Sequence, residues 1–175
     1  MTDINSELVP LRPMATAPAK NPAYDLIELL FFAYRDFVGD ADEVLMHFGF
    51  GRAHHRVIHF VKRNPGMKVA ELLDILRITK QSLGRVLKQL IDEGFVEQKE
   101  GATDRRQRLL FVTSKGDALA MRLAHLQSTR LARALAEPGV DRHMVRRFLT
   151  SVLDPAEREN VLRLIDGADL GRRRA

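Results

Sequence analysis

The 175-residue chain contains no cysteine, which excludes disulfides, thiolate metal sites and redox sensing through a thiol. No apolar run approaches the roughly 18 residues that a membrane-spanning helix needs. The N-terminus has acidic rather than basic residues before any apolar stretch, so it shows no signal-peptide pattern. These absences predict a cytoplasmic protein that does not insert into a membrane.

Catalytic motifs are also missing. The sequence has no pairing of a nucleophile with a base and no glycine-rich phosphate loop, so it predicts neither an enzyme nor a bound cofactor. In the segment AHHRVIHF (residues 53–60), His55 and His59 lie four positions apart, a spacing that can place two imidazoles on one metal ion. Apart from His47, no third ligand is near in sequence, so no metal site is assigned. A metal-responsive regulator that uses these two histidines stays open as an alternative.

Positive charge is distributed unevenly along the chain. The whole sequence has 28 Lys and Arg against 23 Asp and Glu, a formal net charge of +5. Between Arg77 and Lys115 there are nine basic and five acidic residues. Such a local excess of cations is typical of a surface that meets a phosphate backbone.

Residues 79–94 have the pattern of an amphipathic helix. Its apolar stripe consists of Leu83, Leu87, Leu90 and Ile91. A second face is rich in hydrogen-bond donors and consists of Lys80, Gln81, Arg85 and Lys88. Thr79 is a predicted N-cap, and Gly94 is the residue type that ends a helix in a left-handed conformation.

Two short strand patterns, residues 95–98 and 109–113, follow this helix and are separated by an arginine-rich polar stretch. Upstream, residues 69–76 (VAELLDIL) form a short amphipathic helix with only a tight connection before Thr79. Two short helices, a turn and a hairpin make a winged helix-turn-helix. In such a domain the second helix enters the major groove, and arginines of the hairpin reach the adjoining minor groove.

These segments resemble the MarR family of bacterial transcription regulators. The resemblance rests on VAELLDILRIT (69–79), LIDEGFV (90–96) and DRRQRLLFVTSKG (104–116), and it extends over residues 25–165. In the last stretch, Asp104, Arg106, Thr113 and Gly116 match the wing signature of the family. The resemblance implies a mostly helical fold with a small β-hairpin wing, and a homodimer that binds pseudo-palindromic double-stranded DNA.

The candidate DNA contacts share a place on the second helix or at the wing tip: Thr79, Lys80, Gln81, Ser82, Arg85, Lys88, Asp104, Arg105 and Arg106. Lys80, Gln81 and Arg85 are the candidates for base edges, whereas Ser82 and Lys88 are assigned nearer to the phosphates. By resemblance, Asp104 orients Arg106 through a salt bridge so that the wing tip can address DNA.

The remaining segments are assigned from pattern and resemblance. Residues 1–22 have four of the seven prolines and no apolar periodicity, which predicts a disordered or extended arm. Residues 23–38 form a helix that is apolar on two faces, so a second subunit is the economical cover for one of them. We therefore expect a dimerisation helix and connection at 23–50, a DNA-binding lobe at 51–116, and further dimerisation helices with a tail at 117–175.

The resemblance also implies a site for a small anionic or aromatic effector between the dimer helices and the DNA-binding lobe. Tyr34, His55 and His59 are the candidate residues of this pocket. Ordinary packing and surface positions are the alternative roles of the two histidines. For the whole chain, the alternative is a winged-helix protein interaction module whose basic face is merely solvated.

Overall fold

The computed structural model describes residues 22–101 and 107–174, with side-chain environments as far as residue 169. The elements in these ranges are α1 (Tyr24–Met46), α2 (Arg52–Arg63), β1 (Met67–Lys68), α3 (Val69–Leu76), α4 (Lys80–Asp92), β2 (Val96–Glu100), β3 (Arg108–Val112), α5 (Ser114–Leu135), α6 (Arg142–Val152) and α7 (Pro155–Arg174). The fold is thus mostly helical with one small antiparallel sheet, which confirms the predicted class. None of the described helices is long and apolar enough to cross a membrane.

Helix α1 is longer than the sequence predicted. The apolar pattern indicated a helix ending near Val38 and then a partly helical connection, but α1 continues to Met46. Val38, Ala41 and Leu45 recur at helical spacing and are buried. Burial of these side chains offsets the cost of Gly39 within a helix, about 1 kcal/mol relative to alanine.

The chain forms two compact units, Met1–Tyr34 and Arg35–Ala175, and the boundary between them lies within α1. In the first unit, the described part of α1 exposes an unusual number of large apolar side chains: Tyr24, Leu26, Ile27, Leu29, Leu30, Phe31, Phe32 and Tyr34. Exposed apolar surface of this density is typical of interaction sites.

The second unit contains the hydrophobic core. Its fully buried side chains come from helices α1 to α5, from β3 and from the residue before β2, and include Leu45, Ile58, Leu72, Leu83, Leu90, Phe95, Leu110 and Leu123. The strand order in the sheet is β1-β3-β2, with Met67 opposite Leu110 and Val96 opposite Val112. Strand β1 was not predicted, because two residues are too few to show an alternating pattern.

Local caps begin the three C-terminal helices. The Thr113 hydroxyl accepts from the N–H of Gly116 at the start of α5, and the Asp141 carboxylate accepts from the N–H of Met144 at the start of α6. The Asp154 carboxylate accepts from the N–H of Ala156 at the start of α7. Helix α6 has no buried residue, and its exposed apolar side chains are Met144, Phe148, Leu149 and Val152. The backbone of α7 is helical as far as Arg174.

Candidate nucleic-acid interface

The turn between α3 and α4 has a defined backbone conformation. Arg77 follows α3 with φ 49° and ψ 44°, and it is the one non-glycine residue in the described ranges with a positive φ. The Thr79 hydroxyl accepts a hydrogen bond from the N–H of Ser82 at 3.1 Å, so the predicted N-cap is confirmed. Together these features turn the chain sharply and begin α4 at Lys80.

Helix α4 has one buried face and one exposed face. The buried side chains are Leu83, Val86, Leu87 and Leu90. The exposed side chains are Lys80, Gln81, Ser82, Arg85 and Lys88. All the residues of this helix that were predicted to contact DNA therefore lie on its solvent side, and the packed face fixes the direction in which they point.

Some of these exposed side chains already form hydrogen bonds or ion pairs within the protein, and others do not. Lys88 forms an ion pair with Asp92 on the next turn, and the Ser82 hydroxyl accepts from Thr79 at 2.9 Å. The side chains of Lys80, Gln81 and Arg85 make no hydrogen bond or ion pair with any residue in the described ranges. These three donors can bind an external acceptor without breaking an interaction in this part of the protein.

A hydrogen-bonded chain that was not predicted connects α2 to the C-terminal half of α4. The N–H of Gly51 donates to Nδ1 of His54 at 3.1 Å, so the ring proton lies on Nε2 and is donated to Oε1 of Gln89 at 2.9 Å. Gln89 in turn donates to Glu93 at 2.9 Å. His54 also stacks on Phe50, with ring centres 4.8 Å apart. These contacts fix the position of α4 relative to α2.

The predicted wing is present in its described part. Strands β2 and β3 pair with Glu100 opposite Arg108, and these two side chains form an ion pair at 3.0 Å. The tip, with Asp104, Arg105 and Arg106, lies outside the described residues, so the contacts assigned to it stay predictions. Lys99, in β2, pairs with Glu97 and lies 4.9 Å from the centre of the Phe111 ring.

The base of the wing is joined tightly to the end of α4. Gly94 has φ 74°, and the Thr113 hydroxyl donates to its carbonyl oxygen at 2.7 Å. The N–H of Thr113 donates to the carbonyl oxygen of Phe95 at 3.1 Å. A β-carbon built on Gly116 would lie 1.9 Å from that same carbonyl oxygen. The Thr and Gly of the wing signature therefore allow α5 to begin in direct contact with the backbone that follows α4.

The three residues predicted for an effector pocket have different environments. Tyr34 is 54% exposed and belongs to the first compact unit. His55 is buried in the second unit, whereas His59 is half-buried and packs edge to face on Phe60 with ring centres 5.2 Å apart. A cleft of about 1060 Å³ lies elsewhere in the second unit, and neither histidine lines it. Within the described ranges no group of three His, Cys, Asp or Glu side chains is arranged to hold a metal ion.

His55 is expected to make the stability of the fold depend on pH. Burial lowers its pKa, and Asp42 opposes this shift only in part. A histidine with a depressed pKa binds its proton more readily in the unfolded chain, so its contribution to stability is lost as the pH falls below about 6.5. Lowering the pH from about 7.5 to about 5.5 should reduce the Tm less in His55→Gln than in the wild type. The exposed His143→Gln should behave like the wild type, and equal losses in all three proteins would contradict the assignment.

The geometry of these elements defines a class of protein. Helices α3 and α4 form a helix-turn-helix whose second helix presents a donor-rich face, and the β2–β3 hairpin follows as a wing. This arrangement is a winged helix-turn-helix, the fold of many DNA-binding regulators.

Comparison with known proteins identifies the family. A model described as MarR family matches residues 48–107. The HTH-type transcriptional regulator PetP of Rhodobacter capsulatus is 44% identical over 141 residues, which cover 80% of this chain and 85% of PetP. The chain therefore belongs to the MarR family of transcription regulators.

Solved structures confirm the fold. A putative MarR family regulator from Listeria monocytogenes, complexed with a 26mer DNA, has a TM-score of 0.64 at 20% identity and covers 85% of this chain and 97% of its own. The Mycobacterium tuberculosis MarR family protein Rv2887, complexed with salicylic acid, has a TM-score of 0.55 at 25% identity. The match covers 76% of this chain and 97% of the Rv2887 chain.

Proposed function

We propose that this regulator binds duplex DNA through the exposed face of α4, with the wing at the adjoining groove. The observation that supports this proposal is the group of unengaged donors Lys80, Gln81 and Arg85 on one face of the N-terminal part of α4. An α-helix fits the major groove, where Arg pairs bidentately with guanine and Gln with adenine. The similar Listeria regulator was solved with DNA.

The proposed contacts fall into two groups. Lys80, Gln81 and Arg85 contact base edges and provide sequence preference. Thr79, Ser82 and Lys88, at the start and along the side of α4, contact phosphates and fix the register. Arg105 and Arg106, with Asp104 as orienting partner, act at the wing tip on groove shape and phosphate charge.

We further propose a homodimer in which residues 23–50 and 117–175 form the interface and residues 51–116 the DNA-binding lobe. The exposed apolar side chains of the first unit and of α6 support this proposal, since each is costly to leave in water. A two-fold dimer binds two half-sites about 34 Å apart, one turn of DNA. The operator is therefore expected to be a pseudo-palindrome.

Selection of duplexes from a random-sequence library by the purified full-length protein tests the DNA proposal. We expect enrichment of a two-fold symmetric motif whose half-site centres are about one turn apart, with binding that weakens steeply as salt is added. A protein that retains no duplex at low salt would instead be an interaction module with a solvated basic face.

The dimer interface is expected to depend on the apolar face of α6. Phe148, 46% exposed, should be covered by the second subunit, so Phe148→Glu should weaken the dimer at least about tenfold by burying a charge. Sedimentation equilibrium measures this change. His143→Glu places the same carboxylate on the opposite face of the same helix and should leave the dimer intact. The proposed interface would be contradicted if both variants dissociated equally, or if neither dissociated more than the wild type.

We also propose that a small aromatic or anionic effector controls DNA binding, with Tyr34, His55 and His59 as its candidate contact residues. The salicylic acid complex of Rv2887 supports this chemical class. Salicylate should release the selected duplex from the wild type, whereas Tyr34→Ala and His59→Ala should need higher concentrations. Release at equal concentrations in all proteins would place the effector elsewhere.

A further inference from the structure

Helix α7 packs directly on the DNA-binding lobe. Leu164 contacts the core cluster of the lobe. Arg63, at the end of α2, forms an ion pair with Asp169 at 2.8 Å and donates to the carbonyl oxygen of Ile165 at 3.3 Å. Nearer the start of α7, Glu157 forms an ion pair with Arg77 at 2.8 Å. One end of this helix is therefore bound to the turn of the helix-turn-helix itself.

In the proposed complex, the side chain of Arg77 would lie close to the DNA. It precedes Lys80, the first residue of α4, by three positions, so their Cα atoms are at most about 11 Å apart. The N-terminal end of a recognition helix is the part that approaches the bases and the flanking phosphates. The side chain of Arg77 is 68% exposed, and its guanidinium can reach an external phosphate once Glu157 no longer holds it.

The surroundings of Arg77 oppose the approach of a phosphate. Four acidic residues, Glu71, Asp74, Asp154 and Glu157, are among those that line the cleft between α7 and the lobe. Among the described residues that line this cleft, Arg77 is the one basic residue. With α7 in this position, the negative potential of the cleft and the ion pair to Glu157 both keep Arg77 from acting as a phosphate contact.

We propose that Glu157 withholds Arg77 from DNA, so that the position of α7 regulates the affinity of the recognition helix. This inference rests on the proposed DNA-binding function. Exposed ion pairs of this kind contribute little free energy and are screened by salt, so a small displacement of α7 is enough to exchange the carboxylate for a phosphate. Because α7 also belongs to the proposed dimerisation region, a change in the dimer alters DNA affinity through Arg77.

The test compares Glu157→Gln with Glu159→Gln, using random-sequence duplex at several salt concentrations. Both substitutions remove one negative charge from α7, but within the described ranges Glu159 pairs only with Arg163 of the same helix, at 4.0 Å. Glu157→Gln should bind the duplex more tightly and steepen the salt dependence by about one released counterion. The ratio of its affinity to that of the wild type should then be about threefold larger at 50 mM than at 200 mM salt. Glu159→Gln should keep the wild-type slope.

A double variant, Glu157→Gln with Arg77→Gly, assigns the gain to the guanidinium. Glycine suits the left-handed conformation at this position, so the turn is retained while the side chain is removed. We expect the gain to disappear in the double variant. A gain that persists there, or one that appears equally in Glu159→Gln, would overturn the proposal. Failure of the wild type itself to bind any duplex would instead refute the DNA-binding function.

Discussion

Replacing Gly116 with alanine is expected to destabilise the protein by about 3 kcal/mol, because the new methyl group has no space. A β-carbon at this position would lie 1.9 Å from the carbonyl oxygen of Phe95, and backbone atoms cannot move aside as a flexible side chain can. The start of α5 would have to move away from the backbone of Phe95, which breaks the hydrogen bonds of Thr113 with Gly94 and Phe95. For a chain of this size the loss corresponds to about 6–12 °C in Tm.

Gly84→Ala is the matched control for this substitution. Gly84 lies within α4, and a β-carbon there would meet no atom within 4 Å. Since alanine is the better helix former, this variant should be as stable as the wild type or more stable, by up to about 1 kcal/mol. Thermal unfolding of both variants without DNA makes the comparison. Equal Tm values would show that the start of α5 is not confined by the Phe95 carbonyl group.

Arg85→Ala is expected to weaken binding to the selected duplex by about 5-fold to 150-fold, the equivalent of about 1–3 kcal/mol for a bidentate contact to guanine. Affinity for random duplex should change much less, because Arg85 is assigned to a base edge rather than to a phosphate. Its exposure and lack of partners in the described ranges mean that the substitution removes no internal interaction. The fold and the Tm should therefore be retained.

Arg106→Ala should have the contrasting effect at the wing tip. It should weaken binding to both duplexes and reduce the salt dependence by about one counterion. Asp104→Ala should do the same more mildly, because the arginine remains but loses its orienting partner. Titrations of the three variants at several salt concentrations distinguish these roles. Equal weakening on both duplexes by Arg85→Ala, together with an operator-specific loss in Arg106→Ala, would reverse the assignment.

Substitutions at Arg85 and at Glu157 are expected to have different effects on DNA binding. Arg85 and Arg77 lie on or next to the same helix, yet only Arg77 is bound to a carboxylate from the C-terminal region. Substitutions at Arg85 should therefore change sequence preference. Substitutions at Glu157 should change affinity for all duplexes in a way that depends on salt.

Much of the DNA-binding lobe follows from local sequence. Thr79 and Thr113 begin their helices because a hydroxyl can accept from a nearby N–H, and Gly94 ends α4 because glycine tolerates a positive φ. These effects depend on residues within one turn of each other. The boundaries of α3, α4 and the wing strands were therefore predicted to within a few residues, and the exposed face of α4 followed from the spacing of its leucines.

Contacts between distant segments were decided only by the tertiary structure. The end of α1 at Met46 depends on core burial that outweighs the low helix propensity of Gly39, and β1 exists only because Met67 meets Leu110. The pairing of Arg77 with Glu157 joins residues 80 positions apart, which no local pattern indicates. Gly116 was identified from the sequence as part of the wing signature, but only the packed structure shows why glycine is needed there, because the carbonyl oxygen of Phe95 leaves no space for a β-carbon. Caps and periodicity are short-range and can be inferred from neighbouring residues, whereas close approach and ion pairing depend on which surfaces the folded chain brings together.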